Sequence, residues 1–350
     1  MMNNLVLSID AMGGDHAPDI VIEGVDAVAR ARPGVRFRLH GRPSAIEPLL
    51  ERFPDARAAS EVCASESVVG MDMKPTQALR QGRGSSLWNA IEAVKSGDAD
   101  AVVSAGNTGA YMAMALIQLR AMPGVHRPAL TANWPSLREI CTVLDVGANV
   151  VADAAQLVEF AIMGEAFHRA IHGKANPTVG LLNVGAEDQK GHEEIRAAAR
   201  IIRESNLGID FHGFVEGDDI AKGTVDVVVT DGFTGNIALK TAEGTARMVA
   251  SFLKDALTDG LLAKAGAVLA YPSLKNLRAR MDPSSVNGAV FLGLNGVVVK
   301  SHGGASGPGF AAAIDVAARL ARSSFREEIA RNIARVEDNA EAPASVGEGS

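Results

Sequence analysis

Short apolar runs alternate along the chain with longer stretches whose apolar residues recur every three or four positions. The runs have the character of strands buried on both faces, and the recurrence is that of helices with one apolar face. Leu5–Ile9 predicts a first strand, followed by a helix to about Arg32 with Ile20, Val21, Val25 and Val28 on one face. Val35–Gly41 predicts a second strand, Ser44 to about Phe53 a helix, and Val62–Val69 an exposed strand. A helix capped by Ser85 or Ser86 runs through Lys95. A buried strand from Ala101 breaks at Gly106 and restarts as a helix near Gly109. Further strands are predicted at Ala129–Trp134, Cys141–Leu144, Thr178–Leu182, Ile209–Val215, Val225–Thr230, Val290–Leu294 and Val297–Lys300. Helices are predicted at Ala152–His172, His192–Glu204, Gly235–Tyr271 (one helix or a pair) and Ala311–Val336. This alternation implies an α/β fold: a three-layer α/β/α architecture with a mostly parallel, Rossmann-like sheet. One catalytic domain is expected over residues 1–336, with an acidic, disordered tail over 337–350.

The strand ends share a grammar. Each apolar run meets a cluster of Gly with Asp, Asn, Ser or Thr, and a helix begins. After the first strand stand Asp10, Gly13, Gly14 and His16; after the Ala101 strand stand Ser104, Gly106, Asn107, Thr108 and Gly109. Asp145 and Asn149 follow the Cys141 strand, Asn183, Glu187 and Lys190 the Thr178 strand, Asp231 and Asn236 the Val225 strand, and His302 the Val297 strand. In a parallel sheet all these ends are expected along one edge, where open α/β sheets bind ligands. A helix start offers unpaired N–H groups and partial positive charge, so an anion such as phosphate fits there. A tight turn with a capped helix and no ligand is the competing reading.

Composition narrows the chemistry. Of 350 residues 47% are hydrophobic and 36 are Gly, enough for a large core with many tight turns. Aromatics are 4% and the net charge is −7, which argues against a nucleic-acid partner. Cys63 and Cys141 have no metal-site spacing and read as reduced thiols, and no metal site is expected. Neither a signal peptide nor a membrane span is expected, so the chain reads as soluble and cytoplasmic. Gly173-Lys174 is followed by Ala175, so no Walker A motif is present, and no dinucleotide fingerprint follows the first strand. Gly304-Ala305-Ser306-Gly307-Pro308 lacks the closing Gly of a nucleophile elbow. Phe252, Leu253, Ala256, Leu257, Leu261, Ala265, Val268 and Leu269 form an apolar stripe that suits core, a dimer interface or a membrane surface.

Seven motifs in order resemble the phosphate acyltransferases of bacterial phospholipid synthesis, over the chain to about residue 335. They are Asp10 to Pro18, Met71 to Arg80, Ser104 to Ala110, Asp145 to Asn149, Asn183-Val-Gly185 with Glu187, Lys190 and Gly191, Asp231 to Asn236, and Lys300 to Gly303. Ala186 stands where that family more often carries a polar residue. The resemblance implies a cytosolic, homodimeric enzyme held peripherally at the membrane, similar in fold to phosphotransacetylases and isopropylmalate dehydrogenases. It implies transfer of a long acyl group from acyl carrier protein to inorganic phosphate, without a cofactor, and hand-over of the acyl phosphate to a glycerol-3-phosphate acyltransferase. The family's amphipathic helical region corresponds to residues 250–282. Phosphate is then the nucleophile. The expected cradle is the Gly106–Gly109 backbone with Thr108, and Asn107 also reads as catalytic. Lys190 would neutralise charge, backbone N–H groups or Asn236 would stabilise the carbonyl oxygen, and His16 would supply a proton or hold the phosphate in one ionisation state. A phosphotransacetylase acting on acyl-CoA and a non-catalytic carrier- or phosphate-binding regulator are the alternatives.

Overall fold

The computed structural model describes residues 5–205, 207–280 and 287–341, and its side chains are described for all of these but 276–280 and 337–341. In chain order the first half comprises β1 (Leu5–Asp10), α1 (Asp19–Ala31), β2 (Val35–Gly41), α2 (Pro43–Leu50), α3 (Pro54–Ala59), β3 (Ser60–Ala64), α4 (Pro75–Gln81), α5 (Ser86–Lys95), β4 (Ala101–Ser104) and α6 (Thr108–Leu119). Next come β5 (Ala129–Pro135), β6 (Ile140–Leu144), α7 (Ala154–His172), β7 (Thr178–Leu182), α8 (Glu193–Glu204), β8 (Asp210–Val215), α9 (Gly217–Lys222) and β9 (Val227–Val229). The chain continues with α10 (Gly232–Thr258), α11 (Gly260–Arg280), β10 (Ala289–Leu292), β11 (Val297–Lys300), α12 (Gly307–Ala321) and α13 (Phe325–Glu341).

The strands form one sheet of eleven, in the order β3-β2-β1-β4-β11-β10-β5-β6-β9-β7-β8. Alternate residues face opposite layers. Val103 joins the core under α1, α7 and α12, and its neighbour Val102 joins the core under α5 and α6. The expected three layers are therefore present.

The sheet is not parallel throughout. β3, β2, β1, β4 and β11 pair in parallel, as do β6, β9, β7 and β8. Between the two groups lie three successive antiparallel pairings, β11 with β10, β10 with β5, and β5 with β6. Three reversals leave the groups running in opposite directions. The expectation that all the Gly-rich strand ends share one edge is thus corrected. Those after β1, β4 and β11 lie on one edge, and those after β6, β7 and β9 lie on the opposite edge.

Other boundaries also differ. β3 spans Ser60–Ala64 rather than Val62–Val69, and the expected final helix is two helices, α12 and α13. α13 continues to Glu341, into the expected tail, and residues 342–350 lie outside the described residues, as do 281–282 of the amphipathic region. α1 starts after Pro18 without a side-chain cap. α10 and α11 form a pair joined at Asp259, with Phe252, Leu261, Leu262 and Leu269 exposed. Among the described residues no helix is long and apolar enough to cross a membrane.

Candidate functional site

β1 and β4 are adjacent and parallel, and the chain leaves them for opposite sides of the sheet. Such a switch point opens a crevice at the C-terminal strand ends. Ser104 and Asp10 meet there. The Ser104 hydroxyl donates to Asp10 Oδ2 at 2.7 Å and accepts from the Gly106 N–H at 2.9 Å. Asp10 is buried, which pushes its carboxyl up, against the pull of the Ser104 hydroxyl, the Met12 N–H and the Lys300 ammonium. Gly13 lies directly over this pair: a Cβ there would sit 2.4 Å from Asp10 Oδ2 and 2.8 Å from the Gly106 nitrogen.

Asn107 is the N-cap of α6, its Oδ1 accepting from the Ala110 N–H at 3.0 Å. Its Nδ2 donates to the carbonyls of Met71 and Met73, each at 2.8 Å, and so ties down the loop before α4. The side chain expected to act on substrate is therefore fully engaged in positioning. The Gly106 N–H is likewise taken by Ser104. Among the described residues the N–H groups of Thr108 and Gly109 have no hydrogen-bond partner, and the exposed Thr108 hydroxyl stands beside them, in a first turn that carries no acidic residue.

Two more turns complete this rim. The Asp15 N–H donates to the Gly303 carbonyl at 2.9 Å, locking the turn after β1 to the turn after β11. His302 Nδ1 accepts from the Gly304 N–H at 3.1 Å, so the neutral ring carries its proton on Nε2. His302 and His16 are both exposed. Beneath them a polar line crosses the sheet. Register places Cys63, His40 and Asp10 side by side, Asp10 bonds Ser104, and Ser104 pairs with Lys300. Sequence reading assigned no role to His40 and none to Lys300 by itself. The legible signal was an ionisable residue at or next to the end of each strand, His40 in β2 and Lys300 in β11.

On the opposite edge the turns are filled from within. Asp145 is buried, and its carboxylate accepts from five N–H groups. Those of Leu130, Gly147 and Ala148 reach Oδ1 at 2.9–3.1 Å, and the Asn149 backbone and side-chain amides reach Oδ2 at 2.7 and 2.9 Å. Burial pushes this carboxyl up and the N–H donors pull it down. Asp231 caps α10 with a charged oxygen, 2.7 Å from the Thr234 nitrogen, and Asn236 Nδ2 donates to the Val146 carbonyl at 3.1 Å. Asn183 accepts from its neighbour's N–H at Val184 and donates to the Lys190 carbonyl at 3.1 Å. Lys190 and Glu187 form an ion pair at 2.8 Å, both groups open to solvent. Each holds the other in its charged form, so the Lys190 ammonium is raised and the Glu187 carboxyl lowered.

The structure thus brings together Asp10, Gly13, Gly14, His16, Ser104, Gly106, Asn107, Thr108, Gly109 and His302. It places Asp145, Asn149, Asn183, Glu187, Lys190, Asp231 and Asn236 apart from them. Among the described residues no hydrogen bond or ion pair joins the two sets of turns. The described residues also hold no cluster of metal-ligating side chains.

A family model described as fatty acid synthesis protein matches residues 5–328. A phosphate acyltransferase from Caulobacter vibrioides is 61% identical over 336 residues, 96% of this chain and 93% of its own. One from Maricaulis maris is 54% identical over 330 residues, 93% of this chain and 94% of its own. Among solved structures, a phosphotransacetylase from Streptococcus pyogenes matches with a TM-score of 0.62 at 17% identity, over 92% of this chain and 95% of its own. The EutD phosphotransacetylase from Staphylococcus aureus matches with a TM-score of 0.60 at 16% identity, over 91% and 94%. At that identity the likeness shows the fold alone. The sequence relatives go further: the chain belongs to the fatty acid synthesis protein family and is an acyltransferase enzyme.

Proposed function

We propose that the chain transfers a long-chain acyl group from acyl carrier protein to inorganic phosphate, and that the acyl phosphate feeds glycerol-3-phosphate acylation in phospholipid synthesis. The observation that carries the phosphate half is the open pair of N–H groups at Thr108 and Gly109, on a helix start with a neutral cap. A phosphate dianion seated there takes the place that an acidic side chain fills elsewhere in the chain.

Phosphate supplies the nucleophilic oxygen, so no enzyme Ser or Cys is required. That oxygen attacks the thioester carbonyl carbon, a C–O bond forms, and the C–S bond breaks with its electron pair leaving on sulfur. Seating phosphate on fixed N–H groups makes the attack effectively unimolecular. The thiolate is an adequate leaving group with a free pKa of about 8.5. His302, whose neutral ring carries its proton on Nε2, and His16 are the exposed rim groups available to protonate it or to hold the phosphate.

Lys190 and Asn236 take a different part in this proposal. Val150, Val151, Val184, Phe233 and Ile237 are exposed in the same turns or beside them. A partly apolar surface with a cation suits the acyl donor rather than phosphate. Lys190→Ala is expected to raise the KM of the acyl donor and leave that of phosphate unchanged. The exposed apolar residues of α10 and α11 are the surface proposed for homodimer and peripheral membrane contact.

The test is purified protein with acyl carrier thioester, with and without phosphate, using hydroxylamine to trap acyl phosphate. Phosphate-dependent thiol release with trapped product is expected. No phosphate dependence would leave a carrier-binding regulator. Equal or better turnover of acetyl-CoA would leave a phosphotransacetylase.

A further inference from the structure

Among the described residues Lys300 is the one lysine or arginine that is buried, at 7% exposure. Burying an ammonium is costly, and a Met or Leu would close the same strand at less cost. Its position suggests what the charge is for. Lys300 ends β11 opposite Ser104 of β4. Its Nζ donates to the Ala105 carbonyl at 3.3 Å and to the Ser301 carbonyl. The Ala105 carbonyl is the point where three turns meet: Cβ atoms at Gly14 and Gly303 would lie 3.6 and 3.7 Å from it. The ammonium therefore joins the turns after β4 and β11, while the Asp15–Gly303 hydrogen bond joins the turn after β1 to the same point.

We propose that Lys300 is a positioning residue for the anion seat: it pins the Ser104–Gly109 turn against the Ser301–Gly304 turn and places a fixed positive charge beneath them. This rests on the phosphate reading of the Thr108–Gly109 N–H pair and adds the cation that the seat itself lacks. An ammonium has three donors, and two are directed at carbonyls whose turns lead straight to Thr108 and His302. Removing it would leave the Ala105 and Ser301 carbonyl oxygens without this donor and the buried Asp10 carboxyl without the nearby positive charge. The charges nearest it, on Asp10 and Asp15, hold the ammonium protonated against burial, which pulls it down to about 8.

The test compares wild type, Lys300→Met and the charge-balanced double variant Asp10→Asn with Lys300→Met. Phosphate and acyl carrier thioester are each titrated in the turnover assay, and the melting shift produced by inorganic phosphate is measured on each protein. The expected result for Lys300→Met is a phosphate KM raised about tenfold or more, a thioester KM within about twofold, and loss of the phosphate-induced melting shift. The double variant removes the stranded carboxylate, so it folds and shows the same loss. A wild-type phosphate KM and melting shift in either variant would overturn the assignment of Lys300. A fall in kcat with both KM values unchanged would also overturn it, since that would mark an interaction made only in the transition state rather than the positioning of a phosphate seat. A wild-type protein with no phosphate-dependent shift and no phosphate-dependent turnover would overturn the underlying seat as well.

Discussion

Two turns of this chain look alike in sequence and are opposites in chemistry. Ser104 to Gly109 and Asp145 to Asn149 each end a buried strand with Gly, Asn and small polar residues. In the second, the chain's own carboxylate at Asp145 takes five N–H groups, and the neighbouring helix α10 is capped by another acid, Asp231. In the first, the buried carboxylate of Asp10 is turned to the Ser104 hydroxyl, the helix cap is the neutral Asn107, and the N–H groups of Thr108 and Gly109 are left open. A Gly-rich turn therefore signals an anion site only when no local acid already fills it.

The largest expected effect follows from making the first turn like the second. Asn107→Asp keeps an oxygen to cap α6 but brings a negative charge to the anion seat and removes the donors to Met71 and Met73. Phosphate-dependent turnover is expected to fall by about 10²-fold or more, as when an oxyanion donor is lost. The helix cap itself should survive, since Asp and Asn cap about equally well. Wild-type turnover in this variant would break the comparison outright.

The reciprocal change tests the filled turn. Asp145→Ala leaves buried N–H groups with no acceptor, at roughly 1–3 kcal/mol for each one stranded. Water entry and relaxation reduce the total, so a loss of about 3–5 kcal/mol in denaturant unfolding is expected. Damage here should be to stability first. If stability were unchanged and only phosphate KM rose, the second turn would be a ligand seat after all.

Much of this was legible in the sequence and part was not, for physical reasons. Apolar runs such as Val102-Val103 and Val227–Val229 announce buried strands, and the helices between them announce layers. Strand direction is not encoded in periodicity, because a run such as Ala289–Leu292 has the same apolar pattern whichever way it runs. The three antiparallel pairings that move Lys190 and Asn236 to the far edge were therefore invisible. The cap residues Asn107 and Asp231 were visible, but their opposite meaning emerges only once their N–H partners are known. Lys300 was read only as the first letter of a motif, since nothing local shows a side chain turning back onto Ala105.

Gly13 offers a smaller, steric test of the first turn. Gly13→Ala places a Cβ against Asp10, Ser104 and Gly106 together, and overpacking of this kind costs about 1–3 kcal/mol. Gly34 has nothing within 4 Å of the same position, so Gly34→Ala should change stability by less than about 0.5 kcal/mol. Equal melting temperatures for the two variants would mean that the turn after β1 yields freely and is not held over Asp10.

A pH-dependent test compares two buried imidazoles, one in each half of the sheet. His40 lies in the polar line beside Asp10 with neither ring nitrogen partnered among the described residues, and His168 lies on α7 with Nδ1 3.0 Å from Thr142 Oγ1. Burial pushes both rings down to about 4, helped by the Arg38 charge at His40 and chiefly by His172 at His168. An unfolded histidine titrates near 6.5, so between about 6.5 and 4 the unfolded chain binds more protons than the folded one. Stability is then fully present above pH 6.5 and is lost as the pH falls through that window, at up to about 1.4 kcal/mol per pH unit for each ring. Urea unfolding from pH 7 to pH 4.5 should show that slope. His40→Gln should flatten it at little cost at pH 7, because no hydrogen bond is lost. His168→Leu should flatten it by the same amount but lower stability at pH 7 by about 1 kcal/mol, through the Thr142 contact. A slope unchanged in His40→Gln would mean that His40 is hydrated and titrates normally, and that the polar line beneath the anion seat is wet rather than dry.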